Sequence, residues 1–192
     1  MRWLVLYVRS RRLASTTGVA LAAVAALGGL AAAADSGLTR VVLALFAVTV
    51  VVSVAATSLA GHDIGLERTA ALGWRVRRTV HTVTIGAAAA GAVATLGVAT
   101  DVPADMVVRN AIGLTGLAAL GVAVLGGGLA WCVPMAWTVG GVTAILATRT
   151  PPAPLLTWLV QPGDSWAATV AAYVLGATGL TTYALAGPST RN

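Results

Sequence analysis

Between Arg109 and Arg149 the chain runs for 39 residues without one charged side chain. A single helix of that length would measure about 60 Å at ~1.5 Å per residue, roughly twice a hydrocarbon core of about 30 Å. The run therefore has to fold back on itself. Gly126, Gly127 and Gly128 offer the turn, and Pro134 falls near the start of the next helix, where a missing backbone donor costs least.

Charges cut the rest of the chain into pieces of similar size. Apolar spans are expected over 13–34, 41–61, 79–99, 106–125, 129–148 and 165–186, each close to the roughly 20 residues that cross a bilayer. Twelve basic and six acidic side chains make up 9% of the residues, where soluble domains carry about 25%, and the mean hydropathy is +0.88. Too little polar surface exists to keep such a chain dissolved. The expected fold class is an all-α polytopic integral membrane protein, one transmembrane domain of about six helices over residues 1–192.

The arginines set the expected orientation. With a cytoplasmic N-terminus and six crossings, Arg2, Arg9, Arg11, Arg12, Arg68, Arg75, Arg77, Arg78 and Arg191 fall inside, against Arg40, Arg109 and Arg149 outside. Asp35, Asp101, Asp105 and Asp164 fall outside, while Asp63 and Glu67 fall inside. Five crossings would exchange Arg149 and Arg191. Both termini are thus expected in the cytoplasm, and the heavy Ala, Gly, Val and Arg usage suits the plasma membrane of a high-GC bacterium. The first apolar run has arginines ahead of it and "AAAAD" at its end, as a secretory signal would. At about 22 residues it exceeds the roughly 7–15 of a signal core, so it is read as a first span. Residues 1–12 bring Arg2, Arg9 and Arg12 to one helical face, which suits either an interfacial amphipathic segment or an irregular basic anchor.

The residues weigh against several function classes. The chain has no lysine, which removes a Walker A phosphate loop. Its arginines flank apolar spans rather than interleaving with aromatics, which argues against nucleic acid. No ionisable group sits in a span away from its ends, which counts against ion-coupled carriers. His62 and His81 have no HExxH or cysteine partner, and no Gly-x-Ser-x-Gly sequence occurs. We expect no enzyme, and no catalytic, cofactor-binding or metal-binding residue in this chain. Cys132, the single cysteine, reads as a small buried side chain. Gly86, Ala90 and Ala94 at four-residue spacing, and Gly113 with Gly116, read as close-approach helix faces, within the protein or toward a second copy.

One stretch resists the apolar pattern. "GHDIGLERTAALGWRVRRTVH", residues 61–81, holds both histidines, the only glutamate and four of the twelve arginines. Between the second and third spans, residues 62–78 suit a short cytoplasmic helix. Asp63 can cap it, Glu67 favours the positive end of its dipole, and Leu66, Ala70 and Trp74 share one face while Arg68, Arg75 and Arg78 fall on another. Orientation alone explains the arginines but not the acidic pair, the capped start or the apolar face with its tryptophan.

A cytoplasmic N-terminus, six spans and a polar helix between the second and third resemble the short permease class of ABC-type exporters. The resemblance implies a coupling helix whose Asp63, Glu67, Arg68 and Trp74 face a separate ATPase chain, with ATP and magnesium bound there and no cofactor in this chain. It also implies a second membrane subunit, and a short outer element between the fifth and sixth spans. "RTPPAPLLTWLVQPGDSW", residues 149–166, has that form, and as read from its residues is either a re-entrant segment or a hydrophobic external loop. The expected function is an exporter subunit moving an amphipathic or lipid-like substrate across the lipid membrane. The other readings are a membrane scaffold or accessory subunit, and a small secondary transporter or channel.

Overall fold

The computed structural model describes residues 13–59, 74–147 and 154–189, and within them the chain is entirely helical. The helices are α1 (Leu13–Ala32), α2 (Gly37–Ala56), α3 (Trp74–Thr100), α4 (Ala104–Leu125), α5 (Cys132–Ala147), the one-turn α6 (Pro154–Thr157) and α7 (Trp166–Ala186). Residues 1–12, 60–73, 148–153 and 190–192 lie outside the description, and with them the expected N-terminal segment and most of the expected coupling segment.

Local chemistry explains where the helices begin and end. Ser36 caps α2, its hydroxyl accepting from the Thr39 N–H at 3.0 Å, so the helix starts at Gly37, ahead of the apolar run at Val41. Arg40 Nε donates to the Ala34 carbonyl at 3.0 Å and closes the turn from α1. Ser165 caps α7 in the same way, accepting from the Ala168 N–H at 3.4 Å. The uncharged run breaks at Gly126, whose φ of 82° lies where an L side chain is strained. A turn follows, and α5 begins at Cys132 with Pro134 in its first turn. Cys132 itself is half-buried rather than enclosed.

Three helices, Gly37–Ala56, Ala104–Leu125 and Trp166–Ala186, are long and apolar enough to cross a membrane. Thr17–Ala32 and Cys132–Ala147 are shorter apolar helices.

Side-chain contacts fix how the long helices run. Arg40 meets Asp101 at one end and Ser58 meets His81 at the other, so α2 and α3 are antiparallel; a three-residue turn and the Gly86–Thr115 contact make α3 and α4 antiparallel too. Ile112 lies against Gly176 and Gly116 against Gly179, which makes α4 and α7 parallel. Arg40 closes a four-residue turn onto Ala34 between α1 and α2, and Gly121 near the end of α4 meets Ala130 and Val133 around the start of α5, so the six long helices alternate in direction. One end of the bundle gathers Arg109, the turns after α1 and α3, and residues 157–165. The other gathers Arg78, residues 57–59 and the turn after α4.

Helix α4 is the axis of the bundle. It touches α2, α3, α5 and α7, and 72% of its most apolar window is buried, against 44% for α2 and 28% for α7. Glycine makes its closest contact possible. A Cβ on Gly116 would strike the Leu175 carbonyl, and one on Gly179 would strike the backbone of Gly116, so α4 and α7 cross backbone to backbone. A buried pair, Thr49 and Thr138, joins α2 to α5 with hydroxyls 2.9 Å apart. The polar groups inside contrast with the perimeter, where Leu21, Leu146, Trp166, Val174 and Leu185 are exposed.

Candidate functional site

At the Arg109 end, the stretch around residues 157–160 folds down into the bundle. Leu155 and Leu156 are exposed, but Trp158 and Leu159 are fully buried. Three residues of α4 hold them there. The Arg109 guanidinium donates to the carbonyls of Pro162 at 2.7 Å, Gln161 at 2.6 Å and Trp158 at 3.1 Å. Asn110 Nδ2 donates to the Leu159 carbonyl at 2.8 Å. Gly113 leaves the space that the Trp158 ring fills, since a Cβ there would collide with it. From Ala104 to Gly113 is about 13 Å along the helix axis at ~1.5 Å per residue, so the ring reaches well below the end of α4.

The physical logic is that of a clamp. A turn with no regular hydrogen-bond ladder pairs few of its carbonyls, although that of Pro162 also accepts from the Ser165 N–H at 3.1 Å, and burying a carbonyl with its bond unmade costs about 1–3 kcal/mol. A planar guanidinium serves several at once. Gly163 packs against the Asp105 carboxylate, one turn ahead of Arg109, at a point where a Cβ would not fit. All four acids among the described residues, Asp35, Asp101, Asp105 and Asp164, lie at this end with Arg40 and Arg109. Arg40 and Asp101 form an ion pair at 3.4 Å, but Asp101 is 88% exposed, so the pair adds little.

The opposite end carries Arg75, Arg77 and Arg78 at the start of α3. Four helix ends are tied together here. Tyr183 Oη donates to the Leu59 carbonyl at 2.6 Å, which joins α7 to the end of α2. The Arg78 guanidinium lies 6.0 Å from the Tyr183 ring centroid and against Gly187, whose φ of 72° and lack of Cβ make the room. Ser58 Oγ and His81 Nε2 are 3.1 Å apart, and the Ser189 N–H donates to the Val122 carbonyl of α4 at 3.1 Å.

No family model matches this chain, and neither does any curated protein or solved structure.

The residues singled out from sequence fall in three groups. Asp63, Glu67 and Arg68 lie outside the described residues, and Trp74 is the first residue of α3 with its side chain outside them. Gly86 faces Thr115 across α3 and α4, where a Cβ would sit 3.2 Å from the threonine hydroxyl. Ala90 lines a groove of about 400 Å³ between α3, α4 and α7, and Ala94 is half-buried one turn further on. Gly113 and Gly116 lie on α4 against Trp158 and α7 respectively. Among the described residues no three His, Cys, Asp or Glu side chains gather to hold a metal ion.

Sequence reasoning missed Arg109 and Asn110, because an arginine near the start of a span was counted only as an outer flank. Arg109 is 3% exposed, as is Asn110. The signal is an adjacent Arg-Asn pair inside an apolar run, alongside a Pro- and Gly-bounded segment too short to pair its carbonyls in a helical ladder.

Proposed function

We propose that this chain is the membrane subunit of an ATP-driven exporter of ABC type, with six spans and both termini in the bacterial cytoplasm. It works with a separate ATPase chain and a second membrane subunit. The observation that carries this reading is the clamped segment 154–165, between the fifth and sixth long helices and at the end of the bundle opposite the end of α2 and the start of α3. That pairing of a buried outer element with an inner handle is what the resemblance to short permeases implies. The spread of charge supports the orientation, with the described acids at one end and Arg75, Arg77 and Arg78 at the other.

The proposed mechanism uses the bundle as a lever. Closure of the ATPase pair moves segment 62–78, with Asp63, Glu67, Arg68 and Trp74 as its contacts. That motion displaces the joined ends of α2 and α3. Tyr183 and Ser189 link those ends to α4 and α7, which carry the displacement along their glycine crossing to the clamped segment. The path for an amphipathic or lipid-like substrate then opens between the two membrane subunits.

The test is gentle extraction from the native membrane and identification of every co-purifying chain by mass spectrometry. A stoichiometric chain with a Walker A sequence, lost on Glu67→Arg, is the expected result. Recovery alone, or with partners that lack an ATPase, would overturn the exporter reading in favour of a scaffold or a self-sufficient carrier.

A further inference from the structure

Segment 154–165 is well bonded within itself and poorly bonded underneath. Inside it, the Val160 N–H donates to the Thr157 carbonyl at 3.0 Å and the Gln161 amide to the Thr157 hydroxyl at 3.4 Å. Ser165 Oγ donates to the Gln161 amide oxygen at 2.5 Å, and the Ser165 N–H to the Pro162 carbonyl at 3.1 Å. None of these bonds involves α4, so a segment that moved as one piece would keep them. Its bonds to α4 come instead from two side chains, Arg109 and Asn110, and end on main-chain carbonyls.

Three polar atoms at that contact go unserved. Trp158 Nε1, Asn110 Oδ1 and Arg109 Nε are buried without a hydrogen-bond partner among the described residues, and the three side chains are no more than 3% exposed. A buried indole N–H usually finds an acceptor, and a phenylalanine would fill an apolar notch with no N–H to satisfy. Each unmade bond penalises the seated position, and lifting the segment lets water serve all three atoms. Tryptophan is also the side chain that suits the boundary of lipid and water, ring in the apolar layer and N–H wet. Leu155 and Leu156, beside it, are already exposed.

We propose that segment 154–165 is a strap with two positions, seated with Trp158 over Gly113 and lifted as one piece, while the long helices stay folded. Lifting bares the Gly113 notch and releases the Arg109 guanidinium from its carbonyls at that end of the bundle. The strap deepens the exporter reading by naming what covers this end of α4, but its two positions need no ATPase.

Cysteine labelling tests it on the full chain with Cys132 changed to serine. The membranes are broken open, so that neither orientation hides a site from a polar maleimide. Leu159→Cys and Thr157→Cys report the strap, Val107→Cys reports α4 at the same end with 3% exposure, and exposed Asp164→Cys gives the open rate. Both strap sites should label at about 0.1–10% of the Asp164→Cys rate, as for a minor state in fast exchange. They should agree with each other within about threefold and exceed Val107→Cys by at least about tenfold. Either strap variant alone gives that last ratio if the other fails to fold. Arg109→Lys should speed both strap sites by about tenfold and leave Val107→Cys unchanged. Strap sites no faster than Val107→Cys would overturn the proposal, because they would open only with the whole bundle. Strap sites that differ from each other by more than about tenfold would also overturn it, as fraying in place of lifting. The rates are read whether or not an ATPase chain co-purifies, so the strap and the exporter reading fail separately.

Discussion

At the scale of single residues, burial inverts the usual value of side chains here. Glycine is where α4 meets its neighbours, and arginine is where a loop is held. Gly116→Val would drive a branched side chain into the Leu175 carbonyl and the Gly176 backbone, which cannot move aside cheaply. We expect a loss of about 1–3 kcal/mol, read as a lower melting temperature in detergent. Gly91 is the contrast, since a Cβ there meets nothing within 4 Å. Gly91→Ala should leave melting unchanged or raise it, by up to about 1 kcal/mol from helix propensity. Arg109→Lys keeps the charge but replaces a fork with a single ammonium, which cannot span three carbonyls. It should cost at least ~1–3 kcal/mol through one stranded acceptor and speed proteolysis within 154–165. A variant as stable and as protease-resistant as the parent would refute the clamp. The sequence reading picked Gly113 and Gly116 because small residues at helical spacing are visible in one dimension. It did not pair them with Trp158, Gly176 and Gly179, because such partners are set by the third.

At the scale of elements, segment 154–165 is held by shape as much as by hydrogen bonds. Trp158 fills the notch over Gly113, so the two residues should be coupled. Gly113→Ala alone overpacks the notch and should cost about 1–3 kcal/mol. Trp158→Leu alone leaves a void and should cost about 2–4 kcal/mol. Together they should cost less than their sum by about 0.5–3 kcal/mol in a double-mutant cycle of thermal stability. Strict additivity would mean that the ring does not sit on this glycine. Helix boundaries were legible where a single residue decides them. Gly126 ends α4 and begins the turn that the length of the uncharged run demands. The start of α2 was less so, because Ser36 extends the helix beyond its apolar stretch. Nor could composition decide between a loop across the bundle end and one folded into it. That choice depends on Arg109 and Asn110, which are distant in sequence from the carbonyls they serve.

At the scale of the whole molecule, the alternation of six helices brings the described acids to one end and Arg75, Arg77 and Arg78 to the other. With Cys132 changed to serine, single cysteines at Asp164 and Val76 would report which end faces out. A membrane-impermeant maleimide added to intact cells should label Asp164→Cys and should reach Val76→Cys only after permeabilisation. The reverse pattern would overturn the orientation, and labelling of both from outside would overturn the alternation. The central contact of the bundle also carries a cost in time. The glycine face of α4 is covered by α7, yet α5 and α6 are made in between. From Leu125 to Trp166 is 41 residues, which a ribosome adds in about 2–8 s at roughly 5–20 residues per second. During that interval the nascent chain holds its most closely fitted surface open, and a cell that stalls synthesis there is left with a half-built protein that its quality-control proteases can recognise.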